Sequence, residues 1–430
     1  MRTNQFLLTA LAVSLLAIPA SAADAPKGYL AVPGTDTAIQ LYGNACFDIV
    51  NDGVQGGGVM QGLSGASTMT DDAGPKNQWD MTIDESRFGM RTITPSDMGD
   101  IKTRFEMDFL GTNKDSESKG AAPWAHPISG ETKNYAHVRQ MYGEWNGWLI
   151  GKADNNFEDP DGSPNYIDWD GLLADWYGCG RDMQIRYTTS FNPKTTLSVA
   201  IERNDSNTIG GTNPTTYSST GASHSLPGDL TARLTYADKW GHIAFAGAYT
   251  KYEQFGTTPY TAASGTTPAK AGGTATFSEN AFSWALSGHF QFGDDSLVYH
   301  GGIGNGQWGA GLEDGVAFAN DGSLQVVQAK QFEIGYEHFF TPKTHANVFG
   351  SYVGYSQNTN ENMDGAAFKS YVQYGANVMY NATKTMQYAV EFIYGTATTF
   401  QSGALVNPDG STTSAVHESK LHFQAKYKFN

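Results

Sequence analysis

The chain is poor in the features that mark most other protein classes. It holds two cysteines in 430 residues, with no CxxC and no Cys/His spacing, which excludes a disulfide scaffold and a zinc module. No apolar run approaches the roughly 18 residues a membrane-crossing helix needs. Basic residues are scarce: 27 Lys and Arg stand against 43 Asp and Glu, for a formal charge of −16. Nucleic acid is therefore not an expected partner. There is no GxSxG elbow and no HExxH zinc helix. Gly304-Asn305-Gly306-Gln307-Trp308-Gly309 fits GxGxxG, but no helix follows, and 50 glycines make chance matches common. Asp154–Gly162 lacks the ligand spacing of a calcium loop. Ser283, Ser287 and His289 share one strand face, as period two alone produces, and no Asp follows in register. No catalytic residue, cofactor or metal is expected, and the chain does not read as an enzyme.

What is present points to export and to strands. Arg2, the apolar stretch Phe6 to Ile18 and the small residues Ala20-Ser21-Ala22 form a secretory signal peptide over residues 1–22, cleaved after Ala22. Losing Arg2 makes the mature chain one unit more acidic. Residues 23–36 read as a short periplasmic segment and 37–430 as the folded domain. With 40% hydrophobic residues and a mean hydropathy of −0.40, the chain is too polar for helical spans. Yet its apolar residues recur at every second position, as in strands that face lipid on one side and a wet lumen on the other.

The first strand spans about 38–50. It sets Ile39, Leu41, Ala45, Phe47 and Ile49 on one face and Gln40, Asn44, Cys46 and Asp48 on the other. Strand 82–92 places Glu85, Arg87 and Arg91 inward, turns at Pro95-Ser96-Asp97-Met98, and returns with Lys102, Arg104, Glu106 and Asp108 inward. Folding about that turn sets Arg91 near Lys102 and Arg87 near Glu106, a favourable cross-strand arrangement. Further strands alternate with short turns and long Gly/Ser/Thr/Asn loops, to about sixteen in all. Aromatic residues (Trp145, Trp148, Tyr187, Trp240, Trp284, Tyr336, Tyr427) recur near the strand ends as a girdle. The expected fold is an all-β, transmembrane antiparallel β-barrel of the Gram-negative outer membrane, embedded in lipid, with short periplasmic turns and long external loops.

Between residues 84 and 190 the motifs become specific. Ser86-Arg87-Phe88-Gly89, Thr94-Pro95, Gly99 and Glu106-Met107-Asp108-Phe109 resemble the second and third strands of DcaP-like porins. Tyr142-Gly143-Glu144-Trp145, Trp148-Leu149-Ile150-Gly151, Asn156-Phe157, Asp159 and Gln184-Ile185-Arg186-Tyr187 continue the resemblance. It implies a sixteen-stranded homotrimeric channel with a constriction loop folded into each pore, taking up small anionic solutes, dicarboxylates in particular. Some members carry an N-terminal coiled coil, which residues 23–36 are too short to supply.

A ring of charge at a narrow point sets which ion a pore admits. Alternation places Arg87, Arg91, Lys102, Arg104, His137, Arg139 and Arg186 on one basic lumen wall, with Arg181 as its extension. The loop 154–180 carries Asp154, Glu158, Asp159, Asp161, Asp168, Asp170 and Asp175. Folded inward, as the resemblance implies, it would set acids against that wall and a transverse field across the pore. Cys46 and Cys179 either form a disulfide pinning the loop or stand as unpaired thiols, since a bridge needs Cα atoms within about 7 Å. The expected function is a passive porin favouring small anions. A general or weakly cation-selective porin is the alternative within the same fold. A plugged barrel acting as adhesin or outer-membrane hydrolase is the alternative from another class.

Overall fold

Strands with one apolar and one polar face hide every backbone edge in lipid only by closing into a ring. The computed structural model of the chain shows that closure. It describes residues 25–54, 76–111, 135–168, 171–172, 174, 180–203, 208–210, 218–224, 228–258, 273–308, 314–318, 323–356, 368–400, 405–406 and 410–429. The barrel has sixteen antiparallel strands. They are β1 (Ala38–Val54), β2 in two halves (Lys76–Thr82 and Arg87–Thr94), β3 (Ile101–Gly111), β4 (Tyr135–Trp145), β5 (Trp148–Asp154), β6 (Arg181–Asn192), β7 (Thr195–Arg203) and β8 (Asp229–Asp238). There follow β9 (Gly241–Thr258), β10 (Gly273–Phe292), β11 (Asp295–Asn305), β12 (Gln328–Thr341), β13 (Thr344–Ser356), β14 (Phe368–Asn381), β15 (Met386–Thr399) and β16 (Ala415–Phe429). Consecutive strands pair throughout, and β16 returns to β1 with Asp48 opposite Gln424, which closes the ring.

The two faces separate as the alternation requires. Phe47, Ile150, Phe245, Phe282 and Val348 are exposed on the outer surface, while Asp48, Gln184, Glu202, Glu333 and Glu391 are buried inside. Turn-side aromatics form a belt: Trp148 and Tyr187 lie 4.9 Å apart, and Trp240 stacks on Phe290 at 5.2 Å. Asn146 and Gly147 join β4 to β5 with φ of 48° and 83°. Trp145 stands opposite Trp148. Two successive left-handed residues match the twist of the flanking strands, and an Asn-Gly pair adopts them at least cost.

Strand boundaries differ from expectation where side-chain pattern and backbone pairing part company. Alternation in the sequence marks strands over 241–251 and 280–292, but β9 and β10 run on to Thr258 and back from Gly273, pairing to their ends. Half of the added residues are Gly, Ala or Thr, which blurs the apolar–polar alternation, but ladder bonds need no side-chain pattern. The β2–β3 turn is also wider than Pro95–Met98. Thr94 pairs with Ile101, so Arg91 stands opposite Arg104, and Lys102 opposite Ile93. The register slips by two residues, which leaves every side chain on its expected face but changes its partner.

Candidate functional site

The described residues of the connection between β5 and β6 turn into the barrel and lie along its inner wall. Asn156 receives its first anchor: its backbone N–H donates to Glu202 at 2.6 Å, and its side chain donates to Thr231 at 3.3 Å. Asp159 accepts from His242 at 2.8 Å and from Ser287 at 2.6 Å. Tyr166 donates to Glu333. Glu391 then clamps the backbone, accepting from Ile167 N–H and Asp168 N–H at 3.0 Å each, and Lys420 reaches Asp168 at 2.6 Å. Small inward residues on the far wall (Ala246, Ala248, Ala329, Ala397) leave the room that Phe157 and Ala174 fill. The loop thus covers the β7–β16 side and leaves β2–β6 facing the open lumen.

That facing wall is basic, as the alternation anticipates. Arg104 donates to Tyr42 and Glu106, each at 2.8 Å, and Arg139 bridges Glu106 and Asp108 at 3.1 and 2.7 Å. His137 contacts Asp108 at 3.1 Å, and Arg181 pairs with Asp154 at 3.2 Å. Glu106 is thus held by Arg104 and Arg139, and the expected Arg87–Glu106 pair does not form. Arg87 makes no hydrogen bond or ion pair among the described residues. Arg91 lies over the Tyr42 ring at 4.4 Å with no acidic partner there, and Lys102 is exposed. The Tyr42 ring can lie flat on β2 only because Gly89 is beneath it, where an added Cβ would stand 2.2 Å from Cζ. Arg186 reaches the Asp154 carbonyl at 3.4 Å. Arg233, which strand alternation also turns inward but which the sequence reading omitted, donates to the Glu158 carbonyl.

Most of the loop's described acids are engaged by other groups. Asp154 is paired with Arg181, Asp159 is held by His242 and Ser287, and Asp168 is buried against Lys420. Glu158 is enclosed, accepting from Asn155 at 2.6 Å and Gly180 N–H at 2.8 Å. Burial pushes its carboxyl well above the ordinary range, and those two donors only partly offset this. Asp159 is also desolvated, which raises it, but the His242 and Ser287 hydrogen bonds outweigh that and hold it low. Asp161 is exposed. Asp170, Asp175 and Cys179 lie outside the described residues, and Cys46 is a free, buried thiol. Sequence reading missed the anchors Glu391 and Lys420. Their signal was charge at inward positions on strands far from the basic wall.

Ser287, Asp159 and His242 combine the residue types of a hydrolase, but the carboxylate sits between hydroxyl and imidazole. A nucleophilic serine needs the imidazole in that middle position.

Comparison with known proteins agrees with this architecture. The model of the DcaP outer membrane protein family matches residues 20–218. Porin Omp2b of Brucella suis biovar 1 (strain 1330) is 26% identical over 224 residues, which are 52% of this chain and 54% of Omp2b. The chain thus spans about half the length of the curated relatives it matches. Among solved structures, the outer membrane channel DcaP of Acinetobacter baumannii superposes with a TM-score of 0.72 at 18% identity, covering 93% of this chain and 99% of that one. An anion-selective porin from Comamonas acidovorans superposes at 0.51 with 9% identity, covering 91% and 100%. The chain is a sixteen-stranded barrel of the Gram-negative outer membrane that resembles the DcaP outer-membrane protein family.

Proposed function

We propose that this barrel is a passive diffusion channel, a porin and not an enzyme, that favours small anionic solutes such as dicarboxylates. One observation carries the selectivity. Among the described residues Arg87 and Arg91 make no ion pair, Arg87 lying only in the wider field of Glu106 and Glu85 and Arg91 over the Tyr42 ring, while Asp159 and Asp168 of the facing loop are bound to the opposite wall. Cations left uncompensated at a constriction attract anions and repel cations. The names of the similar proteins, a porin, a channel and an anion-selective porin, support the same reading. The working unit in this reading is a homotrimer, exported by a signal over residues 1–22, with 37–430 as the channel domain and 154–180 as its constriction loop.

The test is the reversal potential of the purified protein in a planar bilayer under a salt gradient. The wild type is expected to give the anion-permeable sign. R87Q with R91Q should move the potential toward zero while conductance persists. A cation-permeable wild type would mean that the acidic mouths dominate and would overturn the anion assignment. Absence of current would point instead to a plugged barrel.

A further inference from the structure

β2 is interrupted at its middle in a way that porin function does not require. Thr82 pairs with Asp48 and Arg87 with Asn44, so four residues of β2 span three of β1. The extra residue is a bulge, a device that re-aims a side chain. It is fixed by Ser86, whose Oγ accepts from Cys46 N–H at 2.9 Å and donates to the Cys46 carbonyl at 3.2 Å. What the bulge delivers is Glu85, buried in the inner wall at 6% exposure beside Asp48 at 0% and Cys46 at 3%.

The three residues offer ligand atoms that all lie within 4.8 Å of one another. Cys46 Sγ is 3.8 Å from Asp48 Oδ1 and 4.0 Å from Glu85 Oε2. Ligands around a tetrahedral zinc ion, bonded at about 2.0–2.3 Å, are spaced roughly 3.4–3.7 Å apart, so the two sulfur-to-oxygen separations need shorten by only a few tenths of an ångström. Gln424 of β16 points its amide into the same space, its Nε2 donating to Asp48 at 2.9 Å, to Glu85 at 3.1 Å and to the Ile167 carbonyl at 3.1 Å, a bond that turning the amide over would give up. Three oxygens of this group, Asp48 Oδ2, Glu85 Oε1 and Gln424 Oε1, are buried with no hydrogen-bond partner among the described residues. His422 Nε2 already lies 2.9 Å from Asp48 Oδ1, and the charge of Lys426 bears on Glu85; even so, two adjacent buried carboxylates whose other oxygens stay unpartnered favour a further cation.

We propose that Cys46, Asp48 and Glu85 bind a tetrahedral divalent cation of the zinc class, with Gln424 Oε1 as fourth ligand once its amide turns over. The Cys46 thiol releases its proton to lumen water on binding. A mixed sulfur and carboxylate set suits zinc and disfavours calcium or magnesium, which take oxygen alone. The site joins β1, β2 and β16, so the ion would clamp the seam where the last strand meets the first.

Cobalt(II) reports the site directly, because a thiolate bound to it adds a sulfur-to-metal absorption band in the near ultraviolet. The full-length protein, folded in detergent and stripped with chelator, is titrated with Co²⁺ and then Zn²⁺. The expected result is a band that saturates at one cobalt per chain and is removed by zinc. C46S should abolish it, C179S should keep it, and E85Q should weaken binding at least about tenfold. Heat-modified gel migration confirms that each variant is folded. A wild type with no band, a band that survives C46S, or one lost only in C179S overturns the proposal. A pair of carboxyls that merely share a proton gives the first of these outcomes.

Discussion

Replacing Lys420 with methionine tests how the inward loop is held. In the wild type, Lys420 Nζ lies 2.6 Å from Asp168 Oδ2, with side-chain exposures of 3% and 1%. At such depth solvent screens little, and removing one partner of a buried pair costs about 3–5 kcal/mol because the other charge is stranded. Asp168 makes further contacts, so the lower value applies. About 3 kcal/mol corresponds to roughly a hundredfold shift in the docking equilibrium of this loop segment. Proteolysis of a transiently open segment follows that equilibrium, so nicking near Tyr166–Asp168 should accelerate about a hundredfold. Single-channel current should become noisier at the same time. The barrel itself should keep its heat-modified migration, because the β15–β16 and β1–β16 ladders do not depend on this side chain. K420M combined with D168N should recover most of the docking, since no charge is then stranded. Nicking of K420M at the wild-type rate would refute the idea that this pair fastens the loop.

Glu158 supplies a pH dependence. Its folded-state affinity for a proton is raised by burial, so the folded loop binds more protons than the free loop between the ordinary and the raised value. Anchoring should therefore be strongest below the ordinary value of 4.5 and weaken as pH climbs above it. Asp159, held low, loses its contribution only below its ordinary 3.8, outside that window. Current noise should be lower at pH 4.5 than at pH 7 in the wild type, and the difference should shrink in E158Q without vanishing, because the buried anchors Glu202 and Glu391 also hold the loop backbone; an identical slope in both would rule Glu158 out. Gly89→Val should push Tyr42 off β2, with an overpacking cost of about 1–3 kcal/mol. Tyr42→Phe, which keeps the ring and loses only its bonds to Arg104 and Glu106, should cost about 1 kcal/mol. Urea midpoints in lipid would measure both, and equal stability of Gly89→Val and wild type would contradict the contact.

Alternation along the chain was sufficient to determine the barrel, its strand number and which residues face the lumen. Leu41, Phe47, Cys46 and Asp48 of β1 all lie on the faces assigned to them. The reason is that the lipid on one side and water on the other act on each residue locally, so period two carries the information. The placement of Arg87, Arg91, Arg104 and Arg139 on one wall follows from the same rule, because those strands are consecutive. What alternation could not determine was partnership. A two-residue slip in the β2–β3 turn changes no face, yet it gives Arg91 Arg104 as its cross-strand neighbour. Nor could it show that Asp168 would be consumed by Lys420, 252 positions away, or that the bulge in β2 would bring Glu85 beside Cys46. Those contacts join strands distant in sequence, and only closure of the ring and the course of the loop across it bring them together.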